Sequence, residues 1–345
     1  TNVNLIREIK KFGLGADVVS KGELMMALKA GVSPNKIVFS GVGKTSEEIN
    51  FAIDKKILLI NAESESEIRE INRIAKIKKK KVKIGIRLNP NTDAKTLSQI
   101  STGKKENKFG VNEKTFLKLV NFCKSSKNID LKCLSVHIGS QILDYKPYEK
   151  MLRVVDRIIH KINHKFEFID LGGGMGISYT YEDKKLNYKK YGEIIKNFLK
   201  KHKSKIIFEP GRSIIGDTGT LISKIIYIKK NDSKNFIILD AAMNDLMRPA
   251  LYGAHHKILP STKSKKKSNK TYEFVGPICE STDKFNTLKN FQELEEKDLI
   301  AICDVGAYGM SLSSNYNVRL KPPEILIKGS KIKIIRKKQK YKDLM

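Results

Sequence analysis

The stretch Phe208-Glu209-Pro210-Gly211-Arg212 sets an acid, a fixed turn, a bare backbone and a guanidinium in a row, between the apolar pairs Ile206-Ile207 and Ile214-Ile215. Together they suit an anion and a heteroaromatic nitrogen held side by side, although a polar strand end with a Pro-Gly turn reads the same way. Two further clusters carry related chemistry. Gly172-Gly173-Gly174, after Asp170-Leu171, either lets backbone N–H groups approach a phosphate without interference from Cβ or makes a tight turn. His137-Ile138-Gly139-Ser140-Gln141 ends an apolar run. His137 there is either a satisfied core residue or a ring stacked on a flat ligand, with Ser140 donating to phosphate.

The second half adds three more motifs. Cys279-Glu280-Ser281-Thr282-Asp283 follows Gly276-Pro277-Ile278 and is too polar for a greasy core, so Cys279 suits a proton donor and Glu280 a counter-charge to an ammonium. Arg248-Pro249-Ala250-Leu251-Tyr252 joins an arginine to a tyrosine, and Gly306-Ala307-Tyr308-Gly309 sets another tyrosine between glycines. Each also reads as a structural turn. Together they offer a planar carboxylate fork and phenolic donors.

These motifs need elements to position them. Short β-branched runs are expected as strands at 16–19, 36–40, 57–60, 82–88, 131–138, 166–171 and 206–209, alternating with helical spacing at 23–30, 46–53, 65–77, 113–123, 148–162 and 188–202. Alternation of this kind means parallel βα units. Seven strands are one short of a closed (β/α)8 barrel, and polar or glycine residues stand at nearly every strand end, where barrel enzymes place their sites. An open dinucleotide-binding sheet fits less well, since the glycine run lacks the GxGxxG spacing. The pattern therefore predicts an α/β barrel, TIM-like with one N-terminal strand missing, over residues 1–216. A mainly β, sandwich-like domain over 217–345 is expected to complete the site, with strands at 220–229, 235–239, 271–275, 299–303 and 325–335 and a solvated hairpin loop at Ser261 to Lys270. Asn4 to Ile9 reads as a helix already under way, so the N-terminus looks like a cut.

Composition narrows the classes. The chain has 345 residues, 40% of them hydrophobic, with no apolar run of membrane-span length and no signal-peptide pattern. Four scattered cysteines, Cys123, Cys133, Cys279 and Cys303, show no metal-ligand or disulfide spacing, so no metal is expected and a reducing cytoplasm fits. The net charge of +30 is mostly Lys spread over helices and loops, the densest runs being Lys78 to Lys81, Lys263 to Lys270 and Arg336 to Lys342. With abundant Ile and Asn this follows the drift of an AT-rich genome, and a solvated surface accounts for it better than a nucleic-acid face. Where Arg persists beside Gly, Pro or Asn, at Arg87, Arg212 and Arg248, a planar bidentate donor is a reason for it.

In order and spacing, HIGSQ, the triple glycine, EPGR, RPALY, CESTD and GAY resemble the pyridoxal-phosphate decarboxylases of fold type III, specifically the diaminopimelate decarboxylases. Gly15 to Ser20, IVFSGVGK at 37–44, Arg87 to Pro90, and STG at 101–103 with KFG at 108–110 add to the resemblance, which covers essentially the whole chain. It implies a cytoplasmic homodimer with shared active sites that converts meso-2,6-diaminopimelate to L-lysine and CO2, the last step of lysine biosynthesis. It also implies roles. Glu209 would face the pyridine nitrogen and His137 stack on the ring. Gly172, Gly173, Gly174, Gly211, Ser140 and Tyr308 would hold the phosphate, with Asp17 and Arg87 as supporting polar residues. Arg212, Arg248 and Tyr252 would bind the substrate carboxylate, with Tyr308 beside them. Cys279, as proton donor, and Glu280, on the distal amino group, would come from the partner subunit. The family's Schiff-base lysine lies in a Tyr-x-x-Lys-Ala-Asn-like motif just before the stretch that begins here at Thr1, and no lysine in this sequence has a matching context. The expectation is a parent chain carrying that lysine upstream, with the chain as given inactive without it. The alternatives are a decarboxylase of another basic amino acid or polyamine precursor, and a non-catalytic homologue.

Overall fold

The computed structural model describes residues 2–94, 96–97, 100–232, 234–262 and 266–345. After α1 (Val3–Lys10), strands and helices alternate. The strands are β1 (Ala16–Val18), β2 (Ile37–Phe39), β3 (Leu59–Ala62), β4 (Val82–Arg87), β5 (Ile129–Ser135), β6 (Phe168–Asp170) and β7 (Lys205–Ile207). The helices between them are α2 (Lys21–Lys29), α3 (Ser46–Lys55), α4 (Glu65–Ile77), α5 (Glu113–Ser125), α6 (Lys146–His160) and α7 (Tyr188–Lys201). The seven strands pair in parallel in sequence order, β1 through β7. This is the seven-stranded, TIM-like sheet that the sequence predicts.

Local signals start the helices. Ser20, Thr45, Ser64, Asn112 and Asn187 each accept a hydrogen bond from a first-turn amide, and Thr45 with Glu48 forms a full capping box. The helices then lay their apolar faces on the sheet. Ile68, Ile71, Ile74 and Ala75 of α4 and Phe116, Leu119 and Val120 of α5 join Phe39, Ile60, Ile84 and Leu134 in one core. Strands covered on both sides read as continuous apolar runs. Asn61, inside the wholly buried β3, is a polar exception, as are Arg87, Ser135 and Asp170 at the ends of β4, β5 and β6.

Several strand bounds differ from expectation, β7 among them: it ends at Ile207, so Glu209 follows the strand instead of closing it. Leu59–Ala62 starts later than the run at 57–60, because Lys56 takes a left-handed φ of 54° at the end of α3 and the Leu58 amide bonds Pro34 O and Ile37 O on the way in. Asn61 is thereby inside the strand, not after it. β5 ends at Ser135, so His137 stands in the following loop. Val136 stays buried because its amide still bonds Asp170 O of β6, and Ile138 because the segment around 100–103 pairs beside it, through Thr102 N on Ile138 O and Ser140 N on Ile100 O, while His137 between them is half-buried.

The chain separates into two compact units, Thr1–Gly176 with Lys185–Pro210, and Ile177–Lys184 with Gly211–Met345. In the second, β8 (Thr220–Lys230), β9 (Asn235–Leu239), β10 (Ile258–Pro260), β11 (Tyr272–Val275), β12 (Lys284–Leu288) and β13 (Leu299–Cys303) form one sheet in the order β10-β13-β8-β9-β11-β12. Among the described residues the helices of this unit are short: α8 (Arg212–Ile215) precedes β8 and α9 (Arg248–Tyr252) lies between β9 and β10. The run 325–335 is not one strand but a ribbon of β14 (Glu324–Lys328) and β15 (Lys331–Arg336), turned at Gly329 with φ 58°. Nor is Ser261 to Lys270 a hairpin loop: β10 pairs with β13 while β11 pairs with β9 and β12, so the stretch links strands that are not neighbours. Its residues 263–265 lie outside the described residues.

Phe116 is fully buried against Phe166, ring centroids 6.3 Å apart. Phe116→Ala is expected to cost about 3–5 kcal/mol, read as a lower urea midpoint for the first unit with activity per folded molecule retained.

Candidate active site

Asp170, at the end of β6, is fully buried and gathers the first unit's site. Its Oδ2 accepts from Asn61 Nδ2 at 2.8 Å and Ser135 Oγ at 3.2 Å, and its Oδ1 from the Gly172 amide at 2.9 Å. The Glu209 carboxyl hydrogen-bonds it as well. Two carboxyls can bond only if one keeps its proton, and three other donors already aim at Asp170, so the proton belongs to Glu209. Burial first, then the Asp170 and Asp17 charges, hold Glu209 well above the ordinary carboxylate range. Its Oε1 is buried without a hydrogen-bond partner. Asp17, in β1, touches solvent, yet the protein crowded around it and the Asp170 charge raise its carboxyl too.

Arg87, at the end of β4, donates from Nη1 to Glu63 Oε1 at 2.9 Å and lies 4.9 Å over the Phe109 ring. Glu63 in turn accepts the Gly110 amide at 3.0 Å and donates its own amide to Glu67 Oε2 at 2.8 Å. Glu67 Oε1 receives Lys44 Nζ at 2.6 Å, and that ammonium also donates to Gly41 O and Asn61 O, at 2.7 and 2.6 Å. The motifs IVFSGVGK and KFG thus end in one buried chain of two ion pairs, Arg87–Glu63 and Lys44–Glu67, joined through the Glu63 amide, and this chain fixes Arg87. Glu63 and Glu67 escape a reading by residue type, because acids opening a helix look like capping. The signal lies in α4, whose apolar face includes the buried Glu67.

His137 accepts the Gly173 amide at Nδ1, 3.1 Å, which places the proton of the neutral ring on Nε2. Enclosure by protein, helped by Arg87, lowers its pKa to about 3, so the ring stays neutral. The triple glycine does less anion-binding than its composition suggests. The Gly172 and Gly173 amides are taken by Asp170 and His137, and the absent side chains are required by packing. A Cβ on Gly173 would stand 2.1 Å from Glu209 O, and one on Gly174 2.3 Å from Gly139 O. Ser140 is half-buried in the loop after β5.

In the second unit Arg212 and Arg248 are both buried. Arg248 lies 4.3 Å over the Tyr179 ring and Arg212 donates to Tyr179 Oη at 2.6 Å and sits 4.8 Å over Tyr308. Tyr252 is close enough to Arg248 to act on its charge. Burial, before any other influence, lowers the Arg248 pKa. Arg248 Nη1 meets His256 Nε2 at 2.8 Å. Tyr179 and His256 carry no motif and were not legible in the sequence. Gly211 caps α8, and a Cβ there would meet nothing within 4 Å. Cys279 and Glu280 are exposed. Their partners are Tyr316, which donates to Glu280 Oε1, Thr282 at 3.3 Å and Asn317, whose Nδ2 reaches Cys279 Sγ at 3.7 Å. Asp283 is buried and accepts the Met243 and Ile278 amides at 2.7 and 2.8 Å, so it folds this loop rather than serving a ligand.

A parallel barrel sheet whose strand ends carry an acid cluster, a neutral histidine and a glycine turn defines a class, and residues 1–216 match the family model of the pyridoxal-dependent decarboxylases, pyridoxal binding domain. A diaminopimelate decarboxylase of Aquifex aeolicus is 41% identical over 344 residues, covering 99% of this chain and 81% of the relative. One from Helicobacter pylori is 44% identical over 347 residues, covering 100% and 85%. The crystal structure of diaminopimelate decarboxylase from Helicobacter pylori complexed with L-lysine matches with a TM-score of 0.94 at 44% identity, covering 99% of this chain and 86% of that one. The chain belongs to the pyridoxal-dependent decarboxylases, and among them to the diaminopimelate decarboxylase family. Pyridoxal phosphate is the cofactor, and the buried Oε1 of Glu209 fits its ring nitrogen: it is an acceptor without a donor. Among the described residues, no helix is long and apolar enough to cross a membrane.

A carboxyl whose folded pKa is raised holds a proton that the unfolded chain releases, so stability is lost as pH climbs from the unfolded toward the folded pKa. Urea stability is therefore expected to fall from pH 5 to pH 8. In Asp170→Asn, which removes the charge acting on Glu209, the fall is expected to be shallower; an equal slope would contradict the shared proton.

Proposed function

We propose that this protein decarboxylates meso-2,6-diaminopimelate to L-lysine and CO2, as the closing step of lysine biosynthesis, with the following residues in these roles. Glu209 carries the cofactor side of this reading, through Oε1. When bound, pyridoxal phosphate supplies the electron sink that makes loss of CO2 accessible. Glu209 orients the ring and keeps its nitrogen protonated, with Asp170 sharing the acidic proton behind it. Neutral His137 stacks on the ring face, and Asp17 and Arg87 set the polarity beside it. With the Gly172 and Gly173 amides engaged internally, the phosphate is held by Gly174, Gly211, Ser140 and Tyr308.

Arg212, Arg248, Tyr252 and Tyr308 bind the substrate carboxylate that is not lost. Two guanidiniums with aromatic rings between them suit it, because a planar fork matches a carboxylate and stacking keeps each fork in place. Glu280 takes the distal ammonium. Cys279 Sγ gives a proton to the carbon that CO2 leaves, and solvent restores it. The exposed Cys279 and Glu280, held by Tyr316 and Asn317, support a homodimer in which each copy offers this pair to the other's substrate. Four free cysteines support a reducing, cytoplasmic setting. The substrate assignment is supported by the Helicobacter pylori relative, whose structure holds L-lysine.

In the complete protein, Glu280→Ala is expected to lower kcat/KM for diaminopimelate by roughly 10- to 100-fold through loss of one charge-assisted contact. Activity on an analogue lacking the distal amino group should change much less; an unchanged preference between the two would reject the substrate. Cys279→Ala is expected to slow turnover by roughly 100-fold or more while cofactor absorbance is kept.

A further inference from the structure

His256 lies outside every motif, yet it is 1% exposed and touches Arg248 directly. A guanidinium has donors only, so His256 Nε2, 2.8 Å from Arg248 Nη1, must accept. Its proton then sits on Nδ1, which donates to Cys303 O at 2.8 Å. Both nitrogens are satisfied by the neutral ring and by one tautomer. The Asn286 amide holds the His256 carbonyl at 3.0 Å, and the Tyr179 ring stands edge-on at 5.3 Å, so the imidazole has little room to turn. Tyr179 also underlies the Arg248 guanidinium, which is therefore fixed on its face by a ring and at its edge by an imidazole.

We infer that His256 is a positioning residue that holds the Arg248 guanidinium with a neutral acceptor, leaving its full positive charge for the substrate carboxylate. The inference rests on the reading that Arg248 binds that carboxylate. A glutamate in its place would anchor the guanidinium as well and cancel its charge. A protonated imidazole would lose its acceptor and repel it. Burial, with the Arg248 and Arg212 charges acting in the same direction against the Cys303 carbonyl, lowers the His256 pKa to about 4, consistent with the tautomer that geometry requires.

The test is steady-state kinetics of the complete holoenzyme with diaminopimelate. His256→Gln, a neutral acceptor, is expected to keep KM within roughly threefold of wild type, whereas His256→Glu raises it roughly 10- to 100-fold with a smaller change in kcat. A residue that only fills space would move both variants together, and equal KM values for the two would overturn the inference. If the Glu variant does not fold, His256→Leu gives the second arm: an apolar side chain leaves Arg248 unanchored and raises KM roughly tenfold, while a wild-type KM overturns the inference. Arg248→Ala separates the two levels. A wild-type KM in Arg248→Ala defeats the carboxylate reading itself; a raised KM there, with all His256 variants like wild type, defeats the inference alone.

Discussion

A carboxylate with no access to water is the constraint on which the first unit turns. Asp170 can be buried only if donors replace its hydration, and β3, β5 and the turn after β6 each send one. Those donors sit on different strands, so the hydrogen bonds also lock the strand register at the site end of the sheet. The same hub explains the state of Glu209. A second acid brought against a first in a dry place keeps its proton, and a carboxyl hydrogen-bonded on one oxygen presents the other in a fixed direction.

A second, longer chain of charges performs a different task. Lys44, Glu67, Glu63 and Arg87 link three strand ends, and the loop carrying Phe109 and Gly110 closes on it. Buried ion pairs add little net stability against an apolar alternative, but breaking one leaves an unpaired charge inside. Their value here lies in geometry: Arg87 is held from both sides, by a carboxylate and by an aromatic face.

Much of this was legible in the sequence. Seven strands in sequence order follow from apolar runs spaced by helical patterns, and α4 was read to the residue because Ser64 caps it and its apolar face is regular. Glu209, His137, Asp170 and Arg87 do meet at the strand ends, as motifs placed at those ends imply. What was not legible depends on contacts between distant segments. Nothing local tells that Ile138 is covered by the segment near 100 instead of by the sheet. Tyr179 and His256 gain their meaning only when folding brings them against Arg248, 69 and 8 residues away by number. The glycines of the triple turn were read for amides that anions could reach, while the backbone of the segments after β7 and β5, 2.1 and 2.3 Å from a Cβ added to Gly173 and Gly174, decides the identity of those two.

The Lys44 site sets a limit on how the composition of this chain can drift. An ammonium has three protons, and Lys44 finds three acceptors for them in a pocket that leaves it 1% exposed. A guanidinium there would bring five N–H groups to three acceptors, so Arg cannot take the place of Lys. At Arg212 and Arg248 the exclusion runs the other way, since an ammonium has no planar face to set against an aromatic ring. The surface can trade one base for the other as the coding bias of a genome shifts. These interior positions cannot, and they record the chemistry of the protein beneath a composition that says little about it.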